Sequence, residues 1–376
     1  MEMRTSQRSG DTVSLLGFGA MRLPQNGERP RDVDAATALR MVDMAMEGGI
    51  NYFDTAYVYH DGASETILGD ALSRYPRDSF KLATKVIPRV VEREEDIERI
   101  FDEQLKRCRV DFFDYYLVHC VFHSRLEAIK KFRFIERLHE KKQRGLIRNL
   151  GFSYHDGASV LGEVLDLYDW DFAQIQLNYL DWELQDSRQL YTELNGRNIP
   201  VIVMEPVRGG ALATLSESAV AILKEADPQA SPASWAIRFA ASLPGVLTVL
   251  SGMSTPEQVA DNLKTMNGFV PLSDADRETL HRALAAYRES GAIPCTACGY
   301  CMDCPAGVDI PRNFAVYNAY TVSGSALHFG LEMGVLGAEK QASRCVGCGH
   351  CVPLCPQRLD IPALMDKVAG AAGLKG

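Results

Sequence analysis

The sequence predicts an α/β chain: a (β/α)8 TIM barrel, followed by a small, mainly helical, cysteine-rich module. Three observations carry this. Eight short apolar runs alternate with longer amphipathic segments over about the first 270 residues. No G-x-G-x-x-G follows the first run, which argues against the doubly wound alternative. Eight of the ten cysteines fall after residue 290.

The runs are "SLLGFGAM" (14–21), "INYFDT" (50–55), "FKLATKV" (80–86), "FDYYLVHC" (113–120), "LIRNLGFS" (146–153), "DFAQIQL" (171–177), "IPVIVME" (199–205) and "VLTVLSG" (246–252). Their length and apolar content suit buried parallel strands. Helical spacing occupies 34–48, 64–75, 94–109, 125–144 and 256–266. "STPEQVADNL" opens the last of these with a Ser or Thr cap, an early Pro and an acid. Strand–helix alternation implies parallel pairing through right-handed crossovers, and eight units in this length match a barrel. A further helix, "SDADRETLHRALAAYRES", closes at Gly291, so the division falls into 1–290 and 291–376.

The bulk numbers narrow the function. Of 376 residues, 46% are hydrophobic and 24% charged, an ordinary globular composition, and the net charge of −9 argues against a nucleic-acid partner. The start has no apolar signal region and no run reaches membrane-spanning length, so neither secretion nor membrane insertion is expected and the cytoplasm is the expected address. Cysteine clusters there point to metal or redox sites before disulfides. Oligomeric state is not legible.

Barrel chemistry sits at the C-terminal ends of the strands. Those ends carry Asp54, Lys85, His119, Ser153, Gln174 and Glu205, and Tyr59 lies on the loop after the second strand. Each has a plain structural reading on its own: a turn cap, one tyrosine among 14, a solvated strand end, a satisfied core histidine. Together they suit carbonyl reduction. The oxygen that gains charge needs a proton donor, and the Tyr59 phenol is one if its anion is stabilised. Lys85 beside it would do that, Asp54 would hold Lys85, and His119 would orient the carbonyl.

On these residues the sequence resembles the aldo-keto reductases. "LGFGAMRLP", "NYFDTAYVYHDGASE", "LATK", "DYYLVH", "LGFS" and "MEPVRGG" follow in the family's order. The resemblance implies the barrel fold, an NAD or NADP cofactor, and a catalytic tetrad of Asp54, Tyr59, Lys85 and His119. It implies cofactor contacts from Gly19, Met21, Asp54, Ser153, Gln174 and Met204 at the nicotinamide end, and from Pro206, Val207, Arg208 and Gly210 toward the pyrophosphate. It places Gly252, Ser254, Gln258 and Asn262 at the adenosine end. Four positions depart from the family pattern: Tyr154 replaces an Asn, Met204 an aromatic, and Gly252 with Gln258 the Lys and Arg that hold a 2′-phosphate. A 2′-phosphate wants a cation, and "SGMSTPEQVADN" supplies none. Arg208 is expected at the pyrophosphate, at an anionic substrate, or plainly on the surface.

The C-terminal runs read "CTACGYCMDCP" (295–305) and "CVGCGHCVPLCP" (345–356). Three cysteines at two-residue gaps, then Cys-Pro, is an iron–sulfur pattern, and the fourth cysteine in such paired runs serves the other cluster. That predicts two [4Fe–4S] clusters, one on Cys295, Cys298, Cys301 and Cys355, the other on Cys345, Cys348, Cys351 and Cys304, in a ferredoxin-like iron–sulfur domain. Zinc usually takes paired C-x2-C knuckles, and a third cysteine at the same spacing does not suit it. The first run's last gap is two residues where the second has three, which makes Cys304 the least regular ligand. Between the runs, Tyr317, Tyr320, Leu327 and Leu331 mark helical spacing.

Three functions follow from the two halves. The chain is an NAD(P)H-dependent reductase of an aldehyde or ketone (or the reverse alcohol oxidation), with clusters for structure or for a redox partner protein. Or it is an electron-transfer protein using an unrecognised cofactor. Or it is a non-catalytic nicotinamide-binding regulatory subunit. Polar aromatics near strand ends, Tyr57, His60, Tyr154 and Trp182, hint at a hydroxylated, sugar-like substrate.

Overall fold

The computed structural model describes all residues except 303, 324, 372 and 374–376. The chain packs as two compact units, Met1–Pro206 with Ala236–Pro271, and Val207–Trp235 with Leu272–Gly376.

The first unit opens with a two-stranded antiparallel hairpin, β1 (Met3–Thr5) and β2 (Thr12–Ser14). Eight parallel strands then close a barrel: β3 (Leu16–Gly19), β4 (Tyr52–Asp54), β5 (Lys81–Val86), β6 (Phe113–Val121), β7 (Ile147–Tyr154), β8 (Phe172–Gln176), β9 (Val201–Met204) and β10 (Val246–Ser251), with β10 pairing back onto β3. Each of the eight apolar runs holds one strand. The hairpin went unpredicted because its three-residue strands, "MRT" and "TVS", carry no apolar run. It is anchored by Arg4, which donates to the carbonyl oxygens of Val246 and Ala241, at 2.6 and 2.7 Å.

The barrel interior explains where the site lies. Tyr52, Ala83, Leu117, Phe172 and Ile202 belong to one buried apolar cluster with Val13, Tyr115, Leu247 and Leu250. Side chains alternate faces along a strand. Two residues beyond each of the first five, on the same inward face, stand Asp54, Lys85, His119, Gln174 and Met204. The apolar layer therefore supports a layer of functional groups at the C-terminal mouth.

The helices match the expected segments with one correction. Residues 125–144 are two helices, His123–Lys131 and Phe134–Gln143, because Arg133 turns left-handed (φ 54°) with no Gly or Pro to signal it. Thr255 caps the Pro256–Asn267 helix by accepting from the Gln258 N–H, and Ser273 with Asp276 forms a capping box on Asp274–Glu289.

In the second unit, Glu217–Ala226 and Asp274–Glu289 pack together. Ile310–Ser323, Ala326–Leu336 and Ile361–Ala371 surround a core of Ile293, Val308, Phe314, Phe329, Met365 and Val368, with Cys301 and Cys351 buried in it. Tyr317 is buried as the spacing suggests. Leu327 and Leu331, on the Ala326–Leu336 helix, face outward instead.

Candidate functional sites: a catalytic mouth and a cysteine cradle

At the barrel mouth, β4 and β5 are neighbours in register, Asp54 opposite Ala83, so Asp54 and Lys85 project side by side. The Lys85 ammonium is fully buried. It donates to Asp54 Oδ1 and to the Thr55 carbonyl, both at 2.6 Å, and to the Tyr59 hydroxyl at 3.4 Å. It also lies 4.7 Å from the Tyr59 ring centroid. His119, on β6, meets the Tyr59 ring edge-on at 5.6 Å between centroids. The four tetrad residues are thus brought together.

Burial dominates the electrostatics. It pushes the Lys85 ammonium down and the Asp54 carboxyl up, and their mutual contact opposes both shifts. Burial, then the Asp54 charge, push the Tyr59 phenol well above its ordinary value. This runs opposite to the expected lowering by Lys85, whose charge is already matched by Asp54. Burial lowers His119, so its imidazole is neutral. Its Nδ1 is buried without a partner, as are Asp54 Oδ2 and Gln174 Oε1.

Ser153 and Gln174 sit opposite one another on β7 and β8. The Ser153 hydroxyl accepts from the Cys120 N–H at 2.9 Å, and the Gln174 amide lies 3.6 Å from the Met204 sulfur. An orphaned amide oxygen at a barrel mouth suits a planar carboxamide such as nicotinamide carries. Gly19 is buried and Gly252 exposed, Ser254 donates to the Arg22 carbonyl, and Asn262 donates to Ser251 Oγ. Gln258 Oε1 accepts from the Ser254 N–H, so its side chain closes its own loop.

Some residues are placed otherwise than the sequence suggests. Arg208 is completely buried, donating to the Pro294 carbonyl and, at 2.9 Å, to Gln357 Oε1. The polar aromatics are engaged elsewhere. Tyr154 donates to the Gly157 carbonyl, Tyr57 to Glu103, and Trp182 packs between Tyr191 and Phe239. His60 accepts from the Leu23 N–H through Nε2 and donates from Nδ1 to the Pro30 carbonyl, which fixes its tautomer.

Sequence reasoning gave no role to four neighbours of the mouth, Arg22, Glu205, Cys120 and His155. Arg22 and Glu205 pair at 3.0 Å. Cys120, at a left-handed φ of 54°, lies 3.8 Å from His155 Nε2. His155 is pushed down to about 3 by burial. A hydrophilic pair distant in sequence and a cysteine beside a histidine give no periodic signal.

The cysteine cradle repeats in backbone as in sequence. Ala297 and Gly299 in the first run, and Gly347 and Gly349 in the second, all take positive φ. These left-handed residues curl each run, and the Ala297 N–H points to Cys295 Sγ at 3.3 Å. The Cys301 thiol is pushed up to about 12 by burial, then by its neighbours Cys298, Cys295 and Cys355. Cys351 is raised by burial, then by Cys345, Cys304 and Cys348. Cys304, Cys345, Cys348 and Cys351 line one cavity, while Cys298, Cys295 and Cys355 are the thiols that act on Cys301. One helix anchors both runs: Asn318 exchanges two hydrogen bonds with Ile293, and Asn313 binds the Lys340 carbonyl and the Ala342 N–H. Neighbouring soft thiols are the donors that iron–sulfur clusters use.

The comparisons agree with this division. The aldo/keto reductase family model matches residues 15–285, and a 4Fe-4S dicluster domain model matches 294–359. An NADH-specific methylglyoxal reductase from Escherichia coli (strain K12) is 26% identical over 320 residues, spanning 73% of this chain and 95% of the relative. An L-galactose dehydrogenase from Arabidopsis thaliana is 27% identical, over 74% of this chain and 92% of its own. Among solved structures, the holo form of an aldo-keto reductase from Bacillus halodurans is 27% identical with a TM-score of 0.63, covering 75% of this chain and 96% of that one. With the barrel, its mouth and the cysteine runs, these matches show that the chain belongs to the aldo/keto reductase family of oxidoreductases and carries a C-terminal 4Fe-4S dicluster domain.

Proposed function

We propose that this chain reduces a small aldehyde or ketone with a reduced nicotinamide cofactor, and catalyses the reverse alcohol oxidation. The observation that carries the reading is the Asp54–Lys85–Tyr59 line, with Lys85 2.6 Å from the carboxylate and 3.4 Å from the phenol. When bound, the nicotinamide supplies a hydride to the carbonyl carbon. Tyr59 supplies the proton to the carbonyl oxygen. Its raised pKa keeps that proton in place until an alkoxide, a stronger base than a phenolate, develops beside it. Lys85 then faces the phenolate as the nearest cation, while Asp54 holds Lys85 in position. Neutral His119 offers a hydrogen bond to the carbonyl oxygen. Ser153 and Gln174 hold the carboxamide, and Gly19, Met21, Met204 and Pro206 border the rest of the cofactor up to the adenosine end at Gly252, Ser254, Gln258 and Asn262.

NADH is the preferred cofactor in this reading. The 251–262 segment carries no Lys or Arg, and Gln258 is occupied within it. The E. coli relative bears the name of an NADH-specific enzyme. A small polar aldehyde is the substrate class, in keeping with the methylglyoxal and L-galactose in the two relatives' names. Cys295, Cys298, Cys301 and Cys355 hold one [4Fe–4S] cluster and Cys345, Cys348, Cys351 and Cys304 the other. The clusters belong to a module that begins near Gly291, and they serve structure or a redox partner. No helix among the described residues is long and apolar enough to cross a membrane, and the cytoplasm is the proposed address. A regulatory subunit that only bound nicotinamide would have no chemical need for the buried Lys85–Asp54 pair.

The test is anaerobic. Purified protein is mixed with NADH, then with methylglyoxal, and absorbance is followed at 340 nm and across the visible. Oxidation of one NADH per aldehyde, with the cluster absorbance unchanged, supports the reading. Bleaching of the clusters by NADH alone, without turnover of aldehydes, overturns it in favour of electron transfer.

A further inference from the structure

The peptide that leaves β9 does not end as an open loop. Four residues past Met204, Arg208 is completely buried at a left-handed φ of 52°. Its guanidinium donates to the carbonyl of Pro294, the residue before Cys295, and to Gln357, two residues after Cys355. Gly209 follows, also left-handed (φ 63°). A Cβ there would collide with the backbone carbonyl of Thr296, the residue after Cys295. The contacts of residues 208–209 thus fall on the flanks of two cysteines sixty residues apart in sequence, which the reading above assigns to one cluster.

We propose that Arg208 is the positioning residue of the cluster held by Cys295, Cys298, Cys301 and Cys355. It pins the segments that supply Cys295 and Cys355 to each other, so the loop after β9 forms part of that cluster's cradle. A buried guanidinium has a second effect. A [4Fe–4S] core with four thiolates is an anion, and a nearby cation in a dry site offsets its charge strongly. The fork of donors on Arg suits two acceptors on different segments, which the point charge of Lys does not. Linkage is reciprocal: if the loop orders the cluster, the cluster orders the loop. The proposal rests on the cysteine assignment above, and it needs neither nicotinamide nor substrate.

The experiment compares wild type, Arg208→Met and Arg208→Lys after anaerobic reconstitution. Iron per chain is measured, open thiols are alkylated and mapped by mass spectrometry, and the rate of iron loss to a chelator is followed. Wild type is expected to hold about eight irons, as two four-iron clusters require. Arg208→Met is expected to hold about half, with Cys295, Cys298, Cys301 and Cys355 labelled and the other four protected. Arg208→Lys should fall between. In wild type, hydrogen exchange of 207–212 should rise at least tenfold when iron is stripped. Full iron in Arg208→Met, lost at the wild-type rate within twofold, overturns the proposal. So does labelling spread over both sets. If Arg208→Met does not fold, Gln357→Leu decides: selective loss of the same four-thiol cluster supports the proposal, and wild-type retention overturns it.

Discussion

Replacing Asp54 with Asn tests the central electrostatic claim, because it keeps the side chain's shape and removes its charge. Lys85 has no exposed surface, and Asp54 is the carboxylate beside it, at 2.6 Å. Without that charge, the folded state must bury an unmatched ammonium or release its proton. Releasing it sets a ceiling. An unfolded lysine titrates near 10.4, so holding Lys85 neutral at pH 7 costs up to about 5 kcal/mol, at about 1.4 kcal/mol per pH unit. The Thr55 carbonyl remains at 2.6 Å, and losses on breaking buried pairs run to about 3–5 kcal/mol, so we expect about 3 kcal/mol. The sign of the pH dependence is fixed. The variant's folded Lys85 has a depressed pKa, so the unfolded state binds more protons between the two values and stability falls as pH falls. At pH 9.5 the ceiling shrinks to about 1 kcal/mol. The assay is anaerobic urea unfolding of both proteins at pH 7 and 9.5, followed by tryptophan fluorescence, since Trp170 and Trp182 lie in the barrel unit. A loss under 1 kcal/mol at pH 7, or the same loss at both pH values, refutes a charged Lys85 held by Asp54. Adding Lys85→Met to Asp54→Asn should restore most of the stability.

Tyr59→Phe should lower the rate of carbonyl reduction by about 10²–10⁴-fold while the NADH dissociation constant changes less than threefold, read by stopped-flow and fluorescence titration. Near-normal turnover would remove Tyr59 from the acid role. His155 is pushed down to about 3. Its folded form stays neutral while the unfolded form gains a proton below about 6.5, so it costs stability as pH falls, by about 2 kcal/mol between pH 6.5 and 5. His155→Asn should flatten that part of the wild-type acid curve in chemical denaturation, and an unchanged slope would contradict the burial argument. Asn313 is fully buried and joins the helix to Lys340 and Ala342 at 2.9 and 2.8 Å. Asn313→Ala should cost about 2–4 kcal/mol and speed iron loss from the Cys345 set, seen by chelator kinetics with thiol mapping.

Much of this was legible in the sequence, for identifiable reasons. The barrel strands announced themselves because a strand buried on both faces must be apolar along its length. Asp54, Lys85 and His119 stood out because the inward face alternates, and a polar residue ending an apolar run has few structural uses there, whereas Tyr59, on the loop after β4, was singled out only by the chemistry it would do beside them. The cysteine runs carried their own spacing. What stayed hidden depended on contacts between distant segments. Arg208 reads as an open loop cation, and only the approach of residues 294 and 357 buries it. Arg22 and Glu205 lie 183 residues apart. Leu327 and Leu331 have helical spacing, but spacing does not say which face meets the core, and here they face outward.

How the two halves work together follows from what each already contains. The mouth brings together a phenol, a cation, an anion and an imidazole from β4, β5 and β6 and the loop after β4, with an unpartnered amide oxygen on β8. Hydride transfer needs no more than these and a bound nicotinamide, so in the proposed function reduction does not draw electrons from a cluster. A cluster exchanges one electron where a hydride carries two, and no residue described at the mouth splits that pair. The cysteine unit, in contrast, is not self-sufficient in chain. It takes in residues 207–235, the segment that continues β9, buries Arg208 and sets Gly209 against the flank of Cys295. The state of one cluster is expected to set the order of the peptide leaving β9, and a cell that damages clusters by oxidation would alter that loop without touching the tetrad.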